Sequence, residues 1–191
     1  MQQLLFHQPV VEGALPFPAK SYPVIYADPP WQYDDKKQNR GGAERHYQTQ
    51  SDRWIQNLPV SQIADNDSVL LLWATWAKLP AAMATMFAWG FTYKTCGFLW
   101  AKRNKRKSTW FMGMGSYSRA NTEPCLLGIR GNGLKRCSAK VQQLIEAPIG
   151  RHSAKPPETR ERIVELFGDV PRIELFARES IDGWDVWGNE L

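Results

Sequence analysis

The chain has few residues that could bind a metal or build a disulfide framework. Only three cysteines and three histidines occur among its 191 residues. The odd number of cysteines, with no Cys-x-x-Cys spacing, argues against a disulfide framework and against a zinc site. The histidines are too far apart in the sequence to indicate a metal centre. We therefore expect no metal cofactor, and a reducing compartment such as the cytoplasm.

Long apolar runs and glycine-rich loops are also missing. No segment has enough consecutive apolar residues to span a bilayer, and the amino terminus lacks the charged and then apolar pattern of a signal peptide. We therefore expect no membrane partner. The fingerprint G-x-G-x-x-G of dinucleotide-binding folds does not occur. A cofactor site would have to depend on other residues.

The composition that is present indicates a basic globular protein. Hydrophobic residues make up 43% of the chain, nine residues are tryptophan, and the formal net charge is +5. A basic surface favours a polyanionic partner such as nucleic acid. A basic protein without such a partner remains the alternative. The length fits one domain, which we assign to residues 1–191 with an irregular arm at 1–20.

Predicted strands alternate with predicted helices along the chain. Helices are predicted at 78–89 and 156–167, with short helical turns after Ser51 and Ser61. Two long polar loops are predicted at 32–47 and 102–116. The pattern indicates an α/β layered sheet. The predicted strands are 24–27, 68–73, 91–101, 122–130, 141–146, 172–177 and 184–187.

The first strand ends at an unusual loop, Asp28-Pro29-Pro30-Trp31. Proline has no N–H group and an ionised aspartate only accepts hydrogen bonds, so the loop offers acceptors. Trp31 adds a flat apolar face. The fitting guest is a planar ring that carries an amino group, such as adenine or cytosine. A strand-ending turn with a stray acid is the alternative interpretation.

Six blocks of the sequence carry a resemblance to a known family. They are residues 26–31, 71–73, 123–131, 153–156, 173–178 and 183–190. The chain resembles the adenosine N6-methyltransferase family, which includes the catalytic subunit of the eukaryotic messenger-RNA methyltransferase and small bacterial and phage DNA enzymes. The resemblance implies a single Rossmann-like domain, circularly permuted so that the catalytic motif precedes the cofactor motif. It also implies S-adenosylmethionine as cofactor.

The resemblance assigns site residues at three groups of positions. Asp28 and the Pro29 carbonyl are expected to accept the two hydrogens of an exocyclic amino group, with Pro30 and Trp31 completing the catalytic loop. Glu174 is expected to accept from the cofactor ribose, and an ion pair with Arg172 or Arg178 is its alternative. Lys155 is expected at the carboxylate end of the cofactor, and a solvated lysine is the alternative. The predicted cofactor-binding set is Asp28, Lys155, Glu174, Arg178, Asn189 and Glu190.

Nucleic acid is expected to contact the two long loops and one strand end. Tyr47 either closes on the ligand or packs against the following helix. Trp73 either stacks on the flipped base or belongs to the core. A basic run between Trp100 and Trp110 fits phosphates and stacked bases, or is a solvated loop. Arg119 and Asn121 would extend that surface. The predicted substrate-binding set is Tyr47, Trp73, Lys102, Arg103, Lys105, Arg106 and Lys107.

These observations favour methylation of adenine at N6 in DNA, because the chain is as small as the bacterial and phage members. The target base would be flipped or already single-stranded. Methylation of RNA is the main alternative. A non-catalytic nucleic-acid-binding partner and a cytosine N4-methyltransferase are further ones. The resemblance also suggests a homodimer.

Overall fold

The computed structural model describes residues 16–33, 49–115, 117–150 and 154–189. The described residues form seven strands and three α-helices, with short 3-10 turns at Val60–Gln62 and Trp76–Lys78. The strands are β1 Tyr22–Ala27, β2 Ala64–Trp73, β3 Thr92–Arg103, β4 Thr122–Arg130, β5 Leu144–Pro148, β6 Arg172–Leu175 and β7 Asp185–Trp187. The helices are α1 Asp52–Gln56, α2 Leu79–Ala88 and α3 Glu158–Phe167.

The seven strands form one sheet in the order β5-β3-β4-β2-β1-β6-β7. All neighbouring pairs are parallel except those that β4 makes with β2 and β3. The carboxyl ends of six strands therefore lie at one edge of the sheet, which we call the carboxyl edge. Because β4 runs the other way, its amino end lies at this same edge.

The helices cover both faces of the sheet. Side chains of a strand alternate between the two faces, so Ile25 and Tyr26 of β1 belong to different clusters of the core. The Ile25 cluster includes residues of α1 and α2. The Tyr26 cluster includes Ile163 and Phe167 of α3. Burial on both faces explains the continuous apolar sequence of β1 and of the second half of β2.

This arrangement makes the carboxyl ends of β1 and β6 the switch point of the sheet, and we call the space outside these two ends the crevice between β1 and β6. The connection from β1 to β2 passes through α1 on one face, whereas β6 follows α3 on the other face. Ligands of open α/β sheets bind at the carboxyl ends of strands where the connections diverge in this way. Asp28 directly follows β1, and Glu174 lies in β6 opposite Tyr26. The fold therefore brings the two predicted acids to one crevice.

The predicted α/β class is confirmed, and the boundaries of β4 agree with the prediction. β2 begins at Ala64, four residues before its predicted start. β3 continues through Arg103, so Lys102 and Arg103 lie on a strand and not in the predicted loop. β5 lies a few residues later than predicted. Most of the predicted amino-terminal arm is outside the described residues, and its described part has no helix or strand. No described helix is long and apolar enough to cross a membrane.

Candidate active site

The loop that follows β1 is held by backbone hydrogen bonds. The Asp28 N–H donates to the Leu175 carbonyl of β6 at 3.5 Å, and the Trp31 N–H donates to the Pro29 carbonyl at 2.9 Å. The Pro30 carbonyl accepts from the Gln50 N–H at 2.8 Å. A carbonyl oxygen has two lone pairs, so Pro29 still has acceptor capacity. The loop thus presents the predicted acceptors on a fixed backbone.

The two tryptophans of the prediction hold this loop from inside the core. Trp31 is 4% exposed and Trp73 has no exposed surface. The Trp31 indole N–H donates to the Trp73 carbonyl at 3.0 Å, and the Trp73 indole N–H donates to the Tyr26 hydroxyl at 2.7 Å. In this structure the core alternative holds for Trp73, and Trp31 does not present the flat face to solvent that was expected of it. The reason is that both indoles are needed to fill the core beside the loop.

Four side chains of alternating charge form a row at the carboxyl edge. Lys155 Nζ lies 2.7 Å from each carboxylate oxygen of Asp28 and 3.1 Å from Glu123 Oε1. Lys102 Nζ lies 2.6 Å from Glu123 Oε2. We call these four residues the charge row. Its inner members are shielded from water, since the side chains of Lys155 and Glu123 are 9% and 7% exposed.

Burial and neighbouring charges shift the pKa values within the charge row. Burial raises the pKa of Asp28, and Glu123 adds to this while Lys155 opposes it. Burial would also raise the pKa of Glu123, but the attraction of Lys155 and Lys102 outweighs it, and the pKa is lowered. Burial would lower the pKa of Lys155, but Asp28 and Glu123 raise it above its usual value. Asp28 is therefore the acid of the row that is most easily protonated.

Glu123 belongs to one of the six sequence blocks that carry the family resemblance, but no role was predicted for it. It reaches the site because the antiparallel β4 begins at the carboxyl edge, one residue before Glu123. Lys155 reaches it from the segment that enters α3, where the Thr159 N–H donates to the Pro156 carbonyl at 3.0 Å. An acid at the start of a strand was the only signal in the sequence. Because β4 runs antiparallel to its neighbours, this acid lies at the carboxyl edge, next to Lys155.

Glu174 makes a bidentate ion pair with a residue that the sequence analysis did not name. Arg160 of α3 places Nε 2.7 Å from Oε2 and Nη2 2.9 Å from Oε1 of Glu174. Of the two arginines named as alternative partners of Glu174, Arg172 instead pairs with Asp169 at 2.9 Å. Burial raises the pKa of Glu174, and Arg160 opposes that shift.

The chain beyond Glu174 has an unusual backbone. Phe176 has a φ of 63°, a value that costs energy in a bulky residue and is concentrated at functional sites. A Cβ on Gly188 would lie 2.3 Å from the Ala177 carbonyl oxygen, so glycine is required for this close approach. Arg178 lies near enough to Asp28 to lower the pKa of that acid. Asn189 is exposed, and Glu190 lies outside the described residues.

The predicted nucleic-acid contacts divide into two groups. Lys102 belongs to the charge row, and Arg103 pairs with Glu146 at 2.6 Å, so both are ion-paired at the end of β3. The side chains of Lys105, Arg106 and Lys107 are exposed in the loop that follows. Tyr47 lies outside the described residues. Within the described ranges, no group of three or more His, Cys, Asp or Glu residues could hold a metal ion.

Comparison with known proteins was decisive for the family. The profile of the family described as MT-A70 matches residues 22–190, which is most of the chain. The chain belongs to the MT-A70 family. The resemblance to adenosine N6-methyltransferases that the sequence blocks indicated is thereby confirmed, and β1, β6 and the charge row all lie inside the matched region of this MT-A70 chain.

Individual relatives in the MT-A70 family differ in how much of their length is matched. The chain is 34% identical over 192 residues to "Type II methyltransferase M.MunI" of Mycoplasma sp, covering 91% of this chain and 79% of that protein. It is 27% identical over 173 residues to the human "N(6)-adenosine-methyltransferase catalytic subunit METTL3", covering 89% of this chain but 28% of that protein. It is 25% identical over 187 residues to the human "N(6)-adenine-specific methyltransferase METTL4", covering 90% of this chain and 38% of that protein. The chain thus spans well under half the length of the two human relatives.

Proposed function

We propose that this protein transfers a methyl group from S-adenosylmethionine to the exocyclic N6 of adenine in DNA. The observation that supports this most strongly is the half-buried Asp28 carboxylate, fixed by Lys155 at the end of β1 beside the crevice with β6. The preference for DNA rests on the higher identity and fuller coverage with the type II methyltransferase. RNA is the alternative, supported by the N(6)-adenosine-methyltransferase relatives.

Asp28 and the Pro29 carbonyl are proposed to hold the amino group of the base. The lone pair of an adenine amino nitrogen is delocalised into the ring, which makes the nitrogen a poor nucleophile. Two acceptors that each take one N–H draw this nitrogen toward tetrahedral geometry and free its lone pair. Fixed acceptors also stabilise the positive charge that develops there, as donors do in an oxyanion hole. Positioning of this kind supplies up to roughly 7–11 kcal/mol in favourable cases.

The residues around the crevice fit the proposed cofactor in their chemistry. Glu174 offers carboxylate oxygens for the ribose hydroxyls, because each oxygen accepts more than the one bond from Arg160. Lys155, Arg178, Asn189 and Glu190 complete the proposed cofactor-binding set, with Asp28 shared by both ligands. When bound, S-adenosylmethionine would supply an electrophilic methyl group on a sulfonium centre.

Lys155 is proposed to keep Asp28 ionised as well as to contact the cofactor. A protonated carboxyl has an O–H donor, fewer acceptor sites and no charge, so it would stabilise the developing positive charge on the amino nitrogen less than a carboxylate does. The ammonium group 2.7 Å from Asp28 favours the charged form against the effect of burial. Glu123 and Lys102 hold Lys155 in place from the other side. The charge row is thus a positioning device for the catalytic acid.

The order of the motifs supports a circularly permuted methyltransferase domain over residues 1–191. The proposed catalytic loop follows the first strand, and the proposed cofactor acid lies in the sixth. A base inside a duplex cannot reach Asp28, so we propose that the target is flipped out or single-stranded. Tyr47 and the basic loop after β3 are proposed to contact the strand. A homodimer is part of the same proposal.

Transfer of labelled methyl groups tests the proposal. The purified protein is incubated with labelled S-adenosylmethionine and with DNA or RNA, and the product is digested to nucleosides. We expect N6-methyladenine from DNA, and none from Asp28→Ala. Label only in RNA would favour the alternative substrate, and label in cytosine would exclude adenine as the target. Absence of S-adenosylmethionine binding by calorimetry would indicate a non-catalytic binding partner.

A further inference from the structure

The connection between β3 and β4 forms an arm whose root is tied to the charge row. We define the arm as residues 104–115 and 117–121. Backbone hydrogen bonds hold it in place: the Phe111 N–H donates to the Lys102 carbonyl of β3 at 2.9 Å, and the Gly113 N–H donates to the Ala120 carbonyl within the arm at 2.8 Å. Lys102, two residues before the arm, contacts Glu123, and Glu123 contacts Lys155 beside Asp28. The position of the arm is therefore coupled to the proposed active site.

The first part of the arm, residues 104–110, is a tight hairpin that carries positive charge. The Asn104 amide donates to Thr109 Oγ1 at 2.9 Å and to the Trp110 carbonyl at 3.0 Å, which closes the turn. The three cations between them, Lys105, Arg106 and Lys107, have exposed side chains. Residues 104–121 contain four cations and no acid. This charge fits a phosphate backbone and repels a second copy of the same arm.

The second part of the arm, residues 111–115 and 117–121, exposes apolar side chains, which soluble proteins usually bury. Met112 is 54% exposed, Met114 74% and Tyr117 fully exposed. Trp110 is 40% exposed, and the Arg103 guanidinium covers one of its faces at 3.5 Å. Arg119 donates to the Met112 carbonyl at 2.9 Å, which holds this part of the arm folded back on itself. An exposed apolar group flanked by cations suits a ligand with charged edges and apolar faces, which describes stacked bases between phosphates.

We propose that Met112, Met114 and Tyr117 form a wedge that enters duplex DNA beside the target adenine and holds the neighbouring bases apart. Lys105, Arg106 and Lys107 bind the flanking phosphates. Apolar side chains that enter base steps unstack them, and the lost stacking is offset by contacts to the protein. The root of the arm lies at the charge row, so the opened step would lie next to Asp28. This inference rests on the proposed function, because it explains how a paired base becomes accessible.

The test compares native and heat-denatured unmethylated plasmid DNA as methyl acceptors. The wedge variant replaces Met112 and Met114 by alanine and Tyr117 by serine. The control variant, Met83→Ala with Phe87→Ala, removes exposed apolar side chains from α2, which are 37% and 83% exposed. We expect the wedge variant to lose about 10-fold or more activity on native DNA and to keep its activity on denatured DNA within about 2-fold. The control should keep both activities.

A second readout does not need methyl transfer. A 30-base-pair duplex with 2-aminopurine at several positions becomes brighter when its bases unstack. We expect brightening with the wild type and not with the wedge variant, at concentrations where anisotropy shows both to be bound. Replacing Lys105, Arg106 and Lys107 by glutamine should reduce the salt slope of binding by roughly three, since each phosphate contact contributes about 0.9.

The two proposals fail in different ways. No methylation of either DNA form by the wild type would contradict the proposed function, while wedge-dependent brightening would still support the wedge. Equal loss on native and denatured DNA, or brightening by the wedge variant, would overturn the wedge. A wild-type dimer in light scattering that the wedge variant breaks into monomers, with unchanged activity on native DNA, would overturn it by assigning this surface to a protein contact.

Discussion

A lysine–aspartate pair lies at each edge of the sheet, and the two pairs differ in their surroundings. At the opposite edge, the amino edge, where β7 begins, Lys20 Nζ lies 2.9 Å from Asp185 Oδ2. The two side chains are 55% and 48% exposed. At the carboxyl edge, Lys155 lies 2.7 Å from Asp28, and the exposures are 9% and 20%. Both contacts join a lysine to an aspartate, but the pair at the carboxyl edge is shielded from water and has Glu123 beside it.

The pKa shifts of the two aspartates have opposite directions. Hydrogen bonds from Lys20 and Tyr22 lower the pKa of Asp185, because water still solvates its charge. Burial raises the pKa of Asp28 although its lysine lies closer. A buried ion pair is expensive and adds little net stability. We infer that such a pair, kept beside the crevice between β1 and β6, serves binding or chemistry.

The largest expected effect comes from removing the charge at each edge in turn. Asp28→Asn should lower kcat/KM for DNA methylation by about 100-fold or more, because the neutral amide no longer stabilises positive charge on the amino nitrogen and presents an NH2 donor in place of one acceptor oxygen. Asp185→Asn is the matched control and should stay within about 2-fold of the wild type. Initial rates of labelled methyl incorporation give both numbers. Equal losses of activity in Asp28→Asn and Asp185→Asn would show that the burial of the Asp28 pair has no specific role in catalysis.

A second contrast lies between two glutamate–arginine pairs. Glu174 pairs with Arg160 beside the crevice. Glu146 of β5 pairs with Arg103 of β3, and its side chain is 45% exposed. Glu174→Gln should weaken S-adenosylmethionine binding by about 10–100-fold, as expected for lost hydrogen bonds to a charged group. Glu146→Gln should leave binding unchanged. Calorimetry measures both dissociation constants, and an unchanged value for Glu174→Gln would remove this residue from the cofactor site.

The charge row predicts opposite pH shifts for two of its members. In the proposed function Asp28 acts as a carboxylate, so activity should be lost as the pH falls through its pKa. Lys155 lowers that pKa and Glu123 raises it. Lys155→Met should therefore move the acid limb of the kcat/KM profile to higher pH, and Glu123→Gln should move it to lower pH. Shifts in the same direction would show that Asp28 does not control this limb.

The smallest effect is expected on stability at the amino edge. Asp185→Asn should lower the free energy of unfolding by about 0–1 kcal/mol near pH 7, since the pair is exposed. The pKa of Asp185 is lowered in the folded protein. Its contribution is therefore complete above the unfolded pKa of about 3.9 and is lost as the pH falls through the folded value. Urea unfolding at pH 7 and pH 2 should show a difference only at the higher pH.

Much of this architecture could be predicted from the order of the residues. The apolar run that ends at Asp28 predicted a buried strand with a ligand loop, and the structure places Asp28 at the carboxyl edge. The α/β class and the extent of β4 also followed from local patterns. These features depend on neighbouring residues, so local periodicity is enough to predict them.

Features that depend on distant pairing could not be predicted in this way. Glu123 joins the site only because β4 runs antiparallel to its neighbours. Arg160 reaches Glu174 only because α3 covers that face of β6. The choice between the two alternatives for Trp73 follows from the pairing of β1 with β2, which brings its indole N–H to the Tyr26 hydroxyl in the core. In each case the partner is far away in the chain and is set by sheet topology.

The central claim is that the Asp28 carboxylate accepts a hydrogen from the amino group of the target base. A double-mutant cycle on binding tests this directly, using an oligonucleotide that the protein methylates and its analogue with purine, which lacks the amino group, at the target position. We predict that wild-type protein binds the purine analogue about 10-fold more weakly, while Asp28→Asn binds both equally, which is a coupling of about 1.4 kcal/mol. The same preference for adenine in both proteins, with no coupling, would contradict the claim.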